Sequence, residues 1–234
     1  MTDIIVIGFD RAQETYLTVK SLVESNENVR IILIHNGSTK KPYLSDLKGD
    51  IVEVHLRQNL GQAKAVNIGL DIAKSEYVAV CHNDIVIRDK NWVDKAVSFL
   101  KNNKDAGLID PLGFIWENGI KIRISSLIRK PGTQLKEDFV EVERTDNIAN
   151  VFKNDGIRVD ERYKYCGTEI ATDLKGRGLK LFVMKFDDAK HISTSSRDLE
   201  SYKKLTTFEE ELKHQNEVTT RKFEELGLLL PGRK

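Results

Sequence analysis

Val78 to Ile87 reads VAVCHNDIVI, an apolar run broken by three polar residues, His82, Asn83 and Asp84. Runs of this length flanked by helix-like segments mark strands of a parallel sheet covered on both faces. His-Asn-Asp is out of place inside one. Either the strand ends at Cys81 and the triplet solvates a turn, or the strand delivers an imidazole, an amide and a carboxylate to the crevice at its carboxyl end, where open α/β sheets bind ligands. A second patterned stretch precedes it. Asn59 to Leu70 reads NLGQAKAVNIGL, with small residues at Gly61, Ala65 and Gly69, one helical turn apart. That spacing lets a helix approach the sheet or a ligand closely.

The elements that must position these groups alternate along the chain. Ile4 to Gly8 is an apolar strand, and Ala12 to Glu24 follows with Ala12, Tyr16, Val19 and Val23 on one helical face. Ile31 to Ile34 is a second buried strand, running into the turn-rich His35-Asn36-Gly37-Ser38, and Ile51 to Leu56 is a third. Gln62 to Lys74 predicts a helix and Tyr77 to Cys81 a strand. Trp92, Val93, Ala96, Val97 and Leu100 then describe one face of a helix, and Ala106 to Ile109 a short strand. Units of this kind imply right-handed crossovers and an α/β fold: a Rossmann-like, mostly parallel sheet with helices on both faces.

Beyond Pro111 the pattern changes. Phe114 to Trp116 and Ile120 to Ile124 flank Asn118-Gly119, which predicts a hairpin and a small antiparallel flap. Lys130 to Glu143 reads as a polar loop, Thr168 to Arg177 as a helix stopped by Gly178, and Leu179 to Phe186 as a strand. From Ser196 the chain is highly charged, with Thr207-Phe208-Glu209-Glu210 as a capping box and Leu212, Phe223 and Leu226 as sparse apolar anchors. This predicts a weakly buried helical tail that covers part of the domain or pairs with another copy.

At 234 residues, the chain fits one large domain with an appended tail better than two full domains. Its 37 Lys and Arg against 36 Asp and Glu leave no global field to hold nucleic acid or an anionic membrane. A strand begins at Asp3, no 18 apolar residues run together, and the two cysteines, Cys81 and Cys166, form no disulfide framework. The expectation is a soluble, cytoplasmic protein. No Gly-x-Gly-x-x-Gly follows any strand, which argues against a dinucleotide dehydrogenase, and Gly8-Phe9-Asp10-Arg11 is not the Gly-rich phosphate loop a nucleotidyltransferase needs.

From Asn59 to Gly69 the chain resembles the inverting glycosyltransferases of family 2, nucleotide-sugar enzymes of the GT-A fold, which carry Asn-x-Gly-x-x-x-Ala-x-Asn-x-Gly before the strand that ends in an Asp-x-Asp-like metal motif. The resemblance runs from Ile4 to about His191. It implies a glycosyltransferase domain over residues 1–195, with a nucleotide-sugar-binding half at 1–110, an acceptor and catalytic half at 111–195, and the tail at 196–234. Phe9, Asp10 and Arg11 fall where the family's first strand gives Thr-Tyr-Asn-Arg, and Asn36 falls within its Asp-Asn-Gly-Ser. Both loops then belong to a nucleotide pocket, to which Gly61, Lys64 and Asn67 are added as donor-binding residues. Asn and Asp side chains can complement a pyrimidine edge, although Asn36-Gly37-Ser38 can equally close a turn.

By the same resemblance His82-Asn83-Asp84 replaces the Asp-x-Asp motif, with Asp84 the metal ligand, Asn83 a partner for ribose hydroxyls, and His82 in place of the family's first acid. His191 matches a histidine that helps hold the metal. The implied cofactor is Mn²⁺ or Mg²⁺, with imidazole shifting the preference from Mg²⁺ toward softer ions. Glu169 and, one turn on, Asp173 are the carboxylates nearest the family's acidic motif, whose Glu-Asp pair is missing here; Glu169 is expected to act as catalytic base, with Asp173 or Asp160 taking the role if the register shifts slightly. A solvated helix face is the plainer reading of Glu169 and Asp173. Cys81, His82, Cys166 and His191 could together bind Zn²⁺, but alternation turns Cys81 away from His82, toward the core. The expected partner is a nucleoside diphosphate sugar, the acceptor is open, and a nucleotide-sugar-binding protein with weak or no turnover is the alternative.

Overall fold

The computed structural model describes residues 1–127, 135–162, 169–192 and 208–228. Burial on both faces explains the first strands. In β1 (Thr2–Gly8) and β2 (Val29–Asn36), Ile4, Val6, Ile31 and Leu33 pack with Val19 and Leu22 of α1 (Ala12–Ser25) and with Trp92, Val93 and Ala96 of α3 (Trp92–Asn102). The alternate residues Ile5, Ile32 and Ile34 pack with Ala63, Val66 and Leu70 of α2 (Gln62–Ile72) and with Ile170 and Leu174 of α4 (Glu169–Gly176). A period of two in the strands thus feeds two separate cores, one under each helical layer.

The remaining strands of the main sheet are β3 (Asp50–Leu56), β4 (Tyr77–His82), β6 (Ala106–Asp110), β9 (Phe139–Val142), β11 (Ala149–Lys153) and β12 (Lys180–Met184). Their order is β3-β2-β1-β4-β11-β6-β12-β9. Six of the eight run the same way; β11 lies antiparallel between β4 and β6, and β9 antiparallel on β12. The expected mostly parallel sheet with helices on both faces is present. β7 (Leu112–Glu117) and β8 (Ile120–Ser125) form the expected antiparallel hairpin, with β10 (Arg144–Thr145) added to β7. Asn118 and Gly119, at φ 51° and 79°, supply the two left-handed positions of its two-residue turn.

Several local expectations are corrected. β4 continues to His82 instead of ending at Cys81, because the His82 amide still donates to the Ile148 carbonyl at 2.9 Å. Within the expected polar loop, Phe139–Val142 is a strand: it covers the β12 edge, and Phe139 stacks on Phe99 with ring centroids 3.9 Å apart. Residues 130–134 of that loop lie outside the described residues. β11 has no counterpart in the expected elements.

α4 ends as its sequence suggests. Gly178 at φ 79° lets the Leu179 amide reach back to the Leu174 carbonyl at 3.0 Å. The tail contributes α5 (Phe208–Glu225), which packs on α4 and buries Val218 and Phe223; the Thr207 capping position lies outside the described residues. Among the described residues no helix is long and apolar enough to cross a membrane.

Candidate active site

β1, β2 and β4 run in register, with Gly8 beside His35 and Ile7 beside His82, so the loops after all three strands open at one rim. At that rim the chain turns after His82, and the short strand β5 (Ile85–Ile87) pairs antiparallel with β13 (Ala189–His191). The ladder sets His191 opposite Ile85, and the Ile192 amide donates to the Asp84 carbonyl at 2.8 Å. A histidine more than a hundred residues away in sequence is thereby fixed against Asp84.

The result is a compact donor cluster. His191 Nε2 lies 3.2 Å and His82 Nδ1 3.9 Å from Asp84 Oδ1, and one ligand atom from each residue falls within 4.8 Å of the others. The two imidazole rings meet edge to face, 6.2 Å apart at 74°. Asp84 and His191 are largely buried, and His82 is a third exposed, so the cluster opens on the His82 side. Two imidazoles and a carboxylate converging at a partly open position suit a first-row divalent cation better than Mg²⁺, which prefers oxygen ligands and retained water. The residues present fit such an ion.

Around this cluster the other residues singled out in the sequence are laced into the rim. The Asn83 side-chain amide donates to Thr15 Oγ1 at 2.9 Å, joining the turn after β4 to the first turn of α1. Asp10 and Arg11 adopt left-handed backbone at φ 50° and 53°. Asp10 Oδ1 accepts from the Thr39 and Lys40 amides at 2.8 and 3.2 Å, and Arg11 pairs with Glu14 at 3.2 Å. Asn36 holds the next loop: its amide donates to Asn59 Oδ1 and the Gly61 carbonyl, and its carbonyl accepts from the Leu60 amide. Gly61 caps α2 at φ 86°, a conformation that favours glycine. Phe9 is half-buried, and Lys64 is exposed on the first turn of α2.

Two residues are engaged elsewhere. Asn67 exchanges two hydrogen bonds with the Val159 backbone, at 2.8 and 2.9 Å, and so ties α2 to the segment leading toward α4. Asp173 Oδ1 lies 2.7 Å from Lys222 Nζ of α5. Because α4 leads into β12 at Lys180, whose amide bonds the Asp105 carbonyl just before β6, at the ends of the strands opposite the rim, its amino-terminal residue Glu169 is the end nearer the rim. The Glu169 side chain, like Cys166 of the alternative zinc set, lies outside what is described. Cys81 is buried in the core, where burial pushes its thiol pKa up.

One residue that sequence reasoning missed supports the cluster from below. Asp110, fully buried at the end of β6, accepts from the amides of Leu112 and Ile148 at 2.9 Å each, and the Ile148 carbonyl in turn holds the His82 amide. Burial, reinforced by the charge of Asp146, outweighs those amides and raises its pKa to about 8. An acid closing an apolar strand, in Ala106-Gly107-Leu108-Ile109-Asp110, was the available signal. Asp160 moves the other way: hydrogen bonds from the Arg162 guanidinium hold it at about 2.

The profile of a family described as Glycosyl transferase family 2 matches residues 3–155, more than half of the chain. No curated protein matches in sequence. The crystal structure of GalNAc-T7 with UDP, GalNAc and Mn²⁺ superposes with a TM-score of 0.63 at 16% identity, over 83% of this chain and 44% of that one. This chain therefore spans less than half the length of that protein, and at such identity the likeness is one of fold, the GT-A fold.

Proposed function

From the premise that this chain belongs to glycosyl transferase family 2, we propose that it moves one sugar from a nucleoside diphosphate donor to an acceptor hydroxyl with inversion, in a reaction that requires a divalent metal ion. The observation that carries this reading is the convergence of His82, Asp84 and His191 at the carboxyl rim of β4. The similar fold of a protein crystallised with UDP, GalNAc and Mn²⁺ supports a nucleotide-sugar donor and Mn²⁺ in preference to Mg²⁺. When bound on these three residues, the ion supplies positive charge against the diphosphate that departs from the sugar.

The chain's own residues would divide the remaining work. Asp10, Arg11, Asn36 and Asn83 stand on the loops after β1, β2 and β4 and would hold the nucleoside, with Phe9 packing beside it. Gly61 and Lys64, at the start of α2, would face the phosphates, where backbone amides and an ammonium favour negative charge. Asn67 would fix the 157–162 segment that leads to the acceptor side. Glu169, at the rim end of α4, would take the proton of the attacking hydroxyl, and Asp173, bound to Lys222, would hold α4 against the tail. Residues 1–110 would serve the donor, 111–195 the acceptor, and 196–234 would cover the acceptor half.

A panel of nucleotide sugars incubated with the full chain, with and without Mn²⁺, tests the reading. Donor consumption that requires the ion, with a product of inverted anomeric configuration by NMR, is expected. Mn²⁺-dependent donor binding without turnover would instead favour a nucleotide-sugar-binding role. Turnover indifferent to metal chelation would remove the cluster from the reaction.

A further inference from the structure

A second group of metal-ligating side chains lies apart from the rim cluster, on the first two strands of the sheet edge. In the parallel pairing of β2 with β3, His35 sits opposite His55 and Leu33 opposite Glu53. Residues two apart on a strand share a face, so His35, Glu53 and His55 project together. Their geometry is tight. His35 Nε2 is 2.7 Å from Glu53 Oε2, the two imidazole rings stack 4.5 Å apart at 2°, and one ligand atom from each residue falls within 4.8 Å of the others.

We infer that His35, Glu53 and His55 form a second metal site that takes Zn²⁺ or a similarly borderline divalent ion and clips the edge strand β3 to β2. The ordinary account, a buried histidine hydrogen-bonded to a carboxylate, covers His35 and Glu53 but leaves His55 unexplained. His55 is exposed, yet it lies flat on the buried His35 ring, with one of its nitrogens within 4.8 Å of the other two ligand atoms. Two imidazoles and one carboxylate make a three-ligand zinc set with water as the fourth partner. Tetrahedral bonds of about 2.0–2.2 Å set donor atoms roughly 3.4 Å apart, so the ion would replace the proton between His35 and Glu53, part those two atoms slightly, and take up the His55 nitrogen once that ring swings out of its stack. Glu53 and His55, both exposed, have room to make that adjustment while His35 stays fixed in the core. β3 is the last strand of its sheet, so the site is reached from the open edge.

The consequence would be structural. β2 and β3 are otherwise joined by their ladder, and Asn36, the residue after His35, braces the loop at 59–61. An ion bridging the strands one residue before Asn36 would stiffen that brace. The inference does not depend on glycosyl transfer.

The test uses the full chain freed of metal by chelation and then titrated with ZnCl₂. In an Asp84→Asn/His191→Ala background, which silences the rim cluster, one equivalent of Zn²⁺ should still bind and raise the Tm. Adding His55→Ala or Glu53→Gln should weaken that binding more than about tenfold. In the wild-type chain, where no variant needs to fold, the His35 and His55 ring resonances should move with one of the bound equivalents. Zn²⁺ binding of equal strength after His55→Ala in the silenced background, or ring shifts confined to His82 and His191, would overturn the assignment.

Discussion

Lys222 Nζ of the tail helix lies 2.7 Å from Asp173 Oδ1 of α4 and 3.6 Å from Asp160 Oδ2. Arg162 completes the junction by pairing with both Asp160 and Glu225. Arg162 and Glu225 are partly exposed, whereas Lys222, Asp173 and Asp160 are largely buried, so only the outer pair is a surface ion pair of small weight. Phe223 is the apolar anchor: it is buried and lines one cavity with Ala171, Thr172 and Leu181. Phe223→Ala should lower stability by about 3 kcal/mol and deprotect α5 to hydrogen exchange, whereas Lys222→Met, which leaves Asp173 without its cation, should cost about 1–3 kcal/mol. A larger loss from Lys222→Met than from Phe223→Ala would mean that charge rather than packing seats the tail.

Asp84 stands between the two imidazoles, and its carboxylate is the only charged ligand of that cluster. Asp84→Asn keeps the size and the backbone bond to Ile192 while removing the charge. Mn²⁺-dependent binding of a nucleoside diphosphate should fall below detection by titration calorimetry, with a Tm close to wild type. His191→Ala removes a ligand outright and should weaken Mn²⁺ binding by at least the roughly 10–100-fold that losing a ligand's supporting partner costs. Unchanged metal dependence in Asp84→Asn would place the ion elsewhere.

What the sequence could and could not disclose follows from how local each feature is. The β1, β2 and β4 strands and their helices were legible because burial on both faces imposes continuous apolar runs and helical spacing. His82 and Asp84 stood out because polar groups broke such a run. His191 was placed only by resemblance: what fixes it is the pairing of β5 with β13, a register between segments a hundred residues apart that leaves no local mark. β11 escaped for the same reason, since Ala149 to Lys153 gains its meaning from the gap it fills between β4 and β6. β9 was hidden by surrounding Lys, Glu and Asp, which outweighed the alternation in Phe139 to Val142. The pairing of His35 with His55 likewise depends on cross-strand register.

Gly69 shows a close approach that spacing did foretell. A Cβ added there would sit 2.5 Å from Ile5 Cγ2, and Ile5 is fully buried in β1. Alanine gains about 1 kcal/mol in helix propensity over glycine, while overpacking costs about 1–3 kcal/mol. The clash should win because Ile5 has no free space to retreat into. Gly69→Ala should therefore shift the urea midpoint downward; an upward shift would show that α2 can lift from the sheet at little cost.

Asp110 gives the fold a pH dependence with a definite sign. Its folded pKa of about 8 lies above the unfolded value of 3.8, so the native state retains a proton that the unfolded chain releases. The stability tied to that proton is full below about pH 4 and is lost as pH rises toward about 8. Asp110→Asn removes the titration but leaves one oxygen for the two amides of Leu112 and Ile148. The variant should be less stable than wild type at pH 5 and show a flatter decline between pH 5 and pH 8 in denaturant titrations. A wild-type slope that survives the substitution would assign the effect to other groups.

The placement of α4 bears most directly on the chemistry. Glu169 and Asp173 are one turn apart and share a face of that helix, but Asp173 is engaged by Lys222 while Glu169 stands at the rim end. A base must reach the acceptor hydroxyl within hydrogen-bonding distance, and the rim end of the helix is the better position for that. Glu169→Gln keeps shape and hydrogen bonding while removing basicity. Donor affinity should survive, and transfer should fall by about 10²–10⁴-fold. Asp173→Asn should act differently, loosening the tail and lowering stability with a smaller loss of transfer. The two variants separate on one plot of rate against Tm: if Asp173→Asn loses the rate at full stability and Glu169→Gln does not, the base is Asp173.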